Sequence, residues 1–220
     1  MKKSVINGLI LATLTLSSLT FANQAGDFIV RGGAAMVDPA NNKANVLLDG
    51  ADSGLDVSPD GDTQLGLNLV YFYDKNWAIE LLAATPFSHD IKLHAGDTTT
   101  TLGKVSHLPP TLSVLYYFDT NSALKPYAGL GLNYTIFFDD KFSTIYKDAG
   151  FSDLDLGGSF GLSAQLGADY QLDEKWSLNV SARYIDIDTD ASFKVAGTVK
   201  GKAEVAIDPM VYSLMLGYKF

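Results

Sequence analysis

The stretch Thr63-Gln64-Leu65-Gly66-Leu67-Asn68-Leu69-Val70-Tyr71-Phe72-Tyr73 alternates with a period of two. Leu65, Leu67, Leu69, Tyr71 and Tyr73 fall on one side, and Gln64, Gly66 and Asn68 on the other. Successive side chains of a β-strand point to opposite faces, so this segment has one oily face and one small, polar face. The rhythm returns seven more times and ends on Phe220. One such strand is ordinary. Eight of them behind an export leader describe a wall with lipid outside and a wetter interior.

The leader is residues 1–22. Lys2 and Lys3 give a basic start, an apolar run extends from about Val5 to Leu19, and Thr20-Phe21-Ala22 supplies small residues for cleavage. The expected mature chain, residues 23–220, suits one barrel domain. There is no cysteine, so an exported fold must be held by its hydrogen-bond ladder, as a closed barrel is. The formal charge is −9, and loss of the two leader lysines makes it more negative still. That balance argues against nucleic acid as a partner. No mature segment carries the roughly 18 consecutive apolar residues of a membrane-crossing helix.

The eight strands are expected near residues 28–37, 63–73, 77–89, 108–118, 126–138, 159–172, 176–187 and 207–220. Asp74-Lys75-Asn76, Asp119 to Lys125 and Asp173-Glu174-Lys175 make three short turns. Residues 38–62, 89–107, 139–158 and 188–206 make four long connections, rich in Asp, Gly, Asn, Ser and Thr, and read as solvated loops. Tyr146 to Asp153 is a candidate helical turn. Outer-membrane barrels pair short periplasmic turns with long external loops. The predicted fold is an all-β, eight-stranded antiparallel up-and-down transmembrane β-barrel with four long extracellular loops, in a bacterial outer membrane. Trp77 and Trp176 follow short turns. With Tyr73, Phe118, Tyr170 and Phe220 they form an aromatic ring at the lipid interface.

The inward parity decides what happens inside. Much of it is small: Gly33, Ala35, Gly66, Gly129, Gly131, Gly161, Ser163, Gly167, Ser177, Ser181, Ser213 and Gly217. An eight-stranded barrel is only just wide enough for side chains to fill. Small residues therefore predict a narrow cavity or channel and exclude a wide pore. Arg31, Glu80 and Arg183 share the inward parity and are expected to form an interior charge cluster, because buried charges must pair. Asp169 and Lys219 share that parity. Nearer the loops the inward residues turn apolar: Leu82, Pro86, Ile185, Pro209, Val211 and Met215. They predict a hydrophobic pathway at the outer mouth. Pro86 lies in the third strand, and Pro109 and Pro110 open its neighbour. Proline cannot donate to the ladder, so a lateral gap is expected there.

Other constellations carry less. His89, His94 and His107 bracket one loop, with nothing in the sequence to converge them on a metal. Asp186-x-Asp188-x-Asp190 begins like a calcium loop but lacks the later glycine and acid. Gly129-Leu130-Gly131 opens no helix and so is no phosphate loop. Ser106-His107 lacks a third member for hydrolysis. No cofactor or enzymatic activity is expected.

Several segments resemble the OmpW family of small outer-membrane proteins: Glu80-Leu81-Leu82-Ala83-Ala84-Thr85-Pro86-Phe87, His107-Leu108-Pro109-Pro110-Thr111, Pro126-Tyr127-Ala128-Gly129 with Asn133-Tyr134, Ala149-Gly150-Phe151-Ser152-Asp153-Leu154, and Asp186-Ile187-Asp188-Thr189. The resemblance covers essentially the whole mature chain. It implies an eight-stranded barrel with a narrow hydrophobic channel for small apolar molecules. A close branch is associated with alkane import. Leu82 matches an apolar residue of the constriction, and Arg183 stands where an aromatic can occur, which favours a narrower or charge-closed lumen over an all-apolar gate. The resemblance also implies that the loops can serve as a phage or bacteriocin receptor. The competing reading is a closed structural or adhesive barrel acting through those loops.

Overall fold

The computed structural model describes residues 22–40 and 42–220. The expected leader lies outside the described residues, apart from Ala22. Eight strands close into an antiparallel barrel in the order β1 (Phe28–Asp38), β4 (Asp62–Phe72), β5 (Trp77–Ala84), β8 (Thr111–Tyr117), β9 (Leu124–Phe142), β11 (Ser159–Gln171), β12 (Trp176–Ile185) and β15 (Met210–Lys219), which pairs back on β1. Each wall strand is therefore paired on both sides for most of its length, which is what lets it sit in hydrocarbon.

The turns are built as the sequence implies. Trp77 N–H donates to Asp74 Oδ1 at 2.7 Å, and Trp176 N–H donates to Asp173 Oδ1 at 2.8 Å. The outward parity is solvent-free chemistry left bare: Leu65, Leu130, Leu162 and Leu166 are each more than 60% exposed. Aromatics edge this apolar band at the turn end, where Trp77 packs on Tyr116 and Trp176 on Tyr218. At the loop end Tyr134, Phe160, Tyr184 and Tyr212 are exposed along the same band. Two aromatic edges around an apolar belt are the signature of a barrel crossing a bilayer.

The four long connections are not loops for most of their length. They carry β2 (Ala44–Leu48) and β3 (Ala51–Pro59), β6 (Phe87–Ala95) and β7 (Thr98–Leu108), α1 (Thr144–Asp148) and β10 (Phe151–Leu156), and β13 (Asp188–Val195) and β14 (Val199–Ala206). These strands continue the ladder above the membrane in the order β10-β13-β14-β2-β3-β6-β7-β9. The turn residues that looked like loop composition sit at hairpin tips. Asp49 and Gly50, joining β2 to β3, both have positive φ, 49° and 81°, as a tight two-residue hairpin demands. Between the tips a dyad survives: Thr189, Ala191 and Phe193 are buried on β13, with Ala203 on β14, Val46 on β2 and Val57 on β3. The helical turn occurs at Thr144–Asp148, slightly before the expected position.

The interior is stacked in layers. Ile29, Val70, Phe72, Ala78, Leu115, Tyr117 and Tyr127 fill the turn end. A charged layer follows. Above it, Leu82, Phe87, Ile185, Val211 and Met215 pack as a second apolar layer, and a third fills the extension around Phe142 and Phe193.

The small inward residues do not leave the lumen sparsely filled. A Cβ on Gly66 would stand 2.5 Å from Met215 Cε, one on Gly129 2.4 Å from Leu115 Cδ2, and one on Gly167 2.4 Å from the Tyr127 ring. The glycines are small because large side chains from adjacent or next-but-one strands already occupy the space above them. Small-against-large complementarity is how a narrow barrel reaches interior packing density.

Candidate functional site

The charged layer spans the lumen. Arg31 (β1) and Glu80 (β5) are fully buried, and Arg31 Nη1 donates to Glu80 Oε2 at 3.1 Å. Arg183 (β12) pairs with Glu80 Oε1 through Nη2 and donates to Gln165 Oε1 at 2.8 Å. Gln165 Nε2 and Asn68 Nδ2 supply Glu80 with two more hydrogen bonds, at 2.9 and 3.0 Å. Arg31 Nη2 donates to Asp169 Oδ2 at 2.6 Å. Tyr117 donates to the same oxygen at 3.0 Å, and Asn179 to Asp169 Oδ1 at 2.8 Å. Two guanidinium groups thus balance two carboxylates, and Arg31 also lies 5.5 Å over the Tyr127 ring.

The cluster expected from Arg31, Glu80 and Arg183 is joined by Asp169, Gln165, Asn68, Asn179, Tyr117 and Tyr127. Parity flags the first four as inward, and it places Tyr127 with the inward Gly129 and Gly131 and Tyr117 on the face opposite to the interface residue Phe118; what it does not reveal is that these two aromatics join the charged layer. Lys219 is not part of the cluster and pairs with Asp27 at 3.3 Å at the turn-end rim.

Above this plug, Leu82, Ile185, Val211 and Met215 are buried in one apolar layer, and Pro209 is buried beside it. Pro86 is not there: its side chain is exposed, and Phe87 points inward instead. The cause is a count. The β5–β8 ladder ends at Leu82↔Thr111 and the β6–β7 ladder begins at Phe87↔His107. Four residues, Ala83 to Pro86, face three, Leu108 to Pro110, so the parity flips on one side. Neither set pairs with the other. Each is held by its outer neighbour: Thr85 N–H donates to Leu65 O at 2.9 Å, and Tyr134 N–H to Pro110 O at 3.1 Å.

Behind this interruption is a small cavity of about 10 Å³, room for about one water molecule, lined by Ala35, Val37, Leu82, Ala83, Ala84, Phe87, Pro109, Ile185 and Val211. A larger, narrow chamber of about 60 Å³ lies inside the extension, walled by Val46, Val57, Leu102, Phe137, Phe193, Ala203 and Ile207 among others. His89 and His107 line it as well. Their Nε2 atoms are 2.8 Å apart. Both lie beyond the loop-end aromatics, His107 opposite Phe137 on β9. Burial holds His89 below its ordinary pKa of 6.5; burial, then the His89 beside it, push His107 down to about 3. His94 is elsewhere, bonded to Ser58 at 2.9 Å. Ser106 Oγ is bonded to Ser88 Oγ at 2.8 Å rather than to His107. Among the described residues no group of three or more His, Cys, Asp or Glu side chains converges as metal ligands.

The model of the OmpW family matches residues 24–220. The chain belongs to the OmpW family. It is 43% identical over 223 residues to outer membrane protein W of Vibrio cholerae, covering all of both chains, and 43% identical over 222 residues to outer membrane protein W of Escherichia coli K12, again covering all of both. Among solved structures it is similar to the outer membrane protein OprG of Pseudomonas aeruginosa, with a TM-score of 0.85 and 45% identity over 90% of this chain and 98% of that one. An OmpW-family barrel of this kind resides in the bacterial outer membrane. Its turn end therefore faces the periplasm, and its extended sheet the outside.

Proposed function

We propose that this chain is a passive conduit through which small hydrophobic molecules leave the outside medium for the membrane. The solute enters the apolar chamber of the extension and descends to the cavity above the charged plug. It then exits sideways between Ala83–Pro86 and Leu108–Pro110 into the outer leaflet. Residues 1–22 are removed on export, and no cofactor or covalent step is involved. The driving force is burial of apolar surface, about 25 cal/mol per Å².

One observation carries this reading: the wall ladder stops beside an apolar cavity, directly above a filled lumen. Ala83 belongs by parity to the lipid side, yet it lines the cavity, which supports a passage through the wall at that level. Both lips are tied to outer neighbours, which supports a standing gap rather than a frayed edge. A closed barrel acting through its loops, for instance as a phage or bacteriocin receptor, would need the plug but neither the chamber nor the interruption.

The test is uptake of a labelled alkane by cells with and without the protein, and with Pro86, Pro109 and Pro110 replaced by alanine. Restored N–H donors contribute about 1 kcal/mol per ladder bond. Closing the gap with two of them should cut protein-dependent uptake about tenfold or more. Uptake equal in cells with and without the protein rejects the conduit; unaltered uptake in the alanine variant rejects the lateral exit.

A further inference from the structure

The two chamber histidines are fixed in one tautomeric arrangement by their partners. His89 Nδ1 meets the carbonyl of Asp60, which can only accept, so Nδ1 carries the proton. In the neutral ring its Nε2 is then a bare acceptor. His107 Nε2, 2.8 Å away, must supply the proton for that contact. The protonation of His107 is thereby assigned to Nε2, and its Nδ1 is left with a lone pair. His107 is 2% exposed, and no protein group among the described residues bonds that Nδ1. Its ring is stacked with Phe87, 5.6 Å away between centroids, and packs on Phe137 at 5.7 Å. A buried acceptor without a partner in an apolar chamber favours whichever guest brings a donor.

We propose that the chamber floor is a selective binding site for small aromatic molecules carrying one O–H or N–H group, which donates to His107 Nδ1 while the ring packs against Phe137 and Val105. The proposal rests on the chamber being a solute site. It adds that the guest is not featureless hydrocarbon: one hydrogen-bond donor on an otherwise oily molecule decides preference and orientation. Asp60 and Asp62 are the acids nearest the pair. Asp62 is engaged by Ser88 N–H at 2.8 Å and Asp60 reaches Lys92 at 3.5 Å, so neither competes for Nδ1.

The test uses a matched pair of probes, 2-naphthol and 2-methoxynaphthalene, titrated by fluorescence into the full-length mature barrel in phosphatidylcholine nanodiscs, with empty nanodiscs as blank. The expected result is a protein-dependent preference for the naphthol of about tenfold, the effect of one hydrogen bond to an unpartnered buried acceptor. His107→Phe, which keeps an aromatic ring in place, should bring that ratio to the blank value while leaving the methoxy probe bound. In the unaltered protein, ¹⁵N NMR should register the naphthol at His107 Nδ1 and not the ether. Equal binding of both probes to the unaltered protein, or a preference that leaves the Nδ1 resonance unmoved, overturns the donor site while the chamber stands. Protein-dependent binding of neither probe removes the chamber itself.

Discussion

Glu80 and Arg183 meet across the full width of the barrel. Their strands, β5 and β12, are separated by three wall strands in either direction around the ring, so they face each other. Glu80 also takes Arg31, Asn68 and Gln165, which makes one carboxylate the hub of a layer drawn from most of the wall. Removing it would leave two buried guanidinium groups with Asp169 as their remaining acid. Breaking a buried pair on one side costs about 3–5 kcal/mol, whereas removing both partners costs much less. Glu80→Gln should therefore lower the urea midpoint of the barrel, read by its heat-modifiable gel mobility, more than Glu80→Gln with Arg183→Gln together. A double variant as unstable as the sum of its parts would dismiss the coupling.

The lipid belt makes a separate prediction. Leu166 lies on β11 midway between the two aromatic edges and is 68% exposed. An arginine at the bilayer midplane costs about 2–4 kcal/mol in barrels of this kind. Leu166→Arg should lose that much stability in phospholipid vesicles, while Lys202→Leu in the extension should be close to neutral. Indifference to Leu166→Arg would mean that this face does not meet hydrocarbon.

The histidine pair sets a pH response. The folded pKa of His107 lies near 3, below its ordinary 6.5, so the unfolded segment takes up the proton first. Its contribution to stability is complete above about pH 6.5 and is lost progressively as the pH falls toward 3. At pH 5 the loss from His107 alone is about 2 kcal/mol, a value in which the opposing pull of the Asp62 carboxylate is already included. Amides of β6 and β7 should exchange roughly thirtyfold faster at pH 5 than at pH 7.5, after correction for intrinsic rates, and His107→Phe should flatten the difference. Equal protection at the two values would remove the histidines from the account.

The barrel is legible in the sequence because a half-buried strand has a period that no other element shares, and Leu65 to Tyr73 or Met210 to Phe220 display it without interruption. The extension is not. Its dyads, such as Thr189-Ala191-Phe193, are short, and hairpin residues such as Asp49-Gly50 dominate the local composition. Pro86 misleads for a different reason. Parity can be carried along a strand only while the ladder is unbroken, and the four-against-three mismatch at the interruption reverses it. The meeting of His89 and His107 needs the register of β6 on β7, which no single segment encodes. The filling of the lumen is equally non-local: Gly66 looks like empty space until Met215 is placed over it.

β9 pairs with β8 in the wall and with β7 in the extension, one strand of nineteen residues with a bulge at Asp139 and Asp140. At about 3.4 Å per residue it is a spar of roughly 60 Å rooted in the bilayer and reaching well clear of it. The mast stands beside the interruption, so the superstructure is stiffly anchored along one lip, and the compliance of that joint is borne by the short link from Ala83 to Pro86. Any cargo wedged between the two pushes on the weaker hinge.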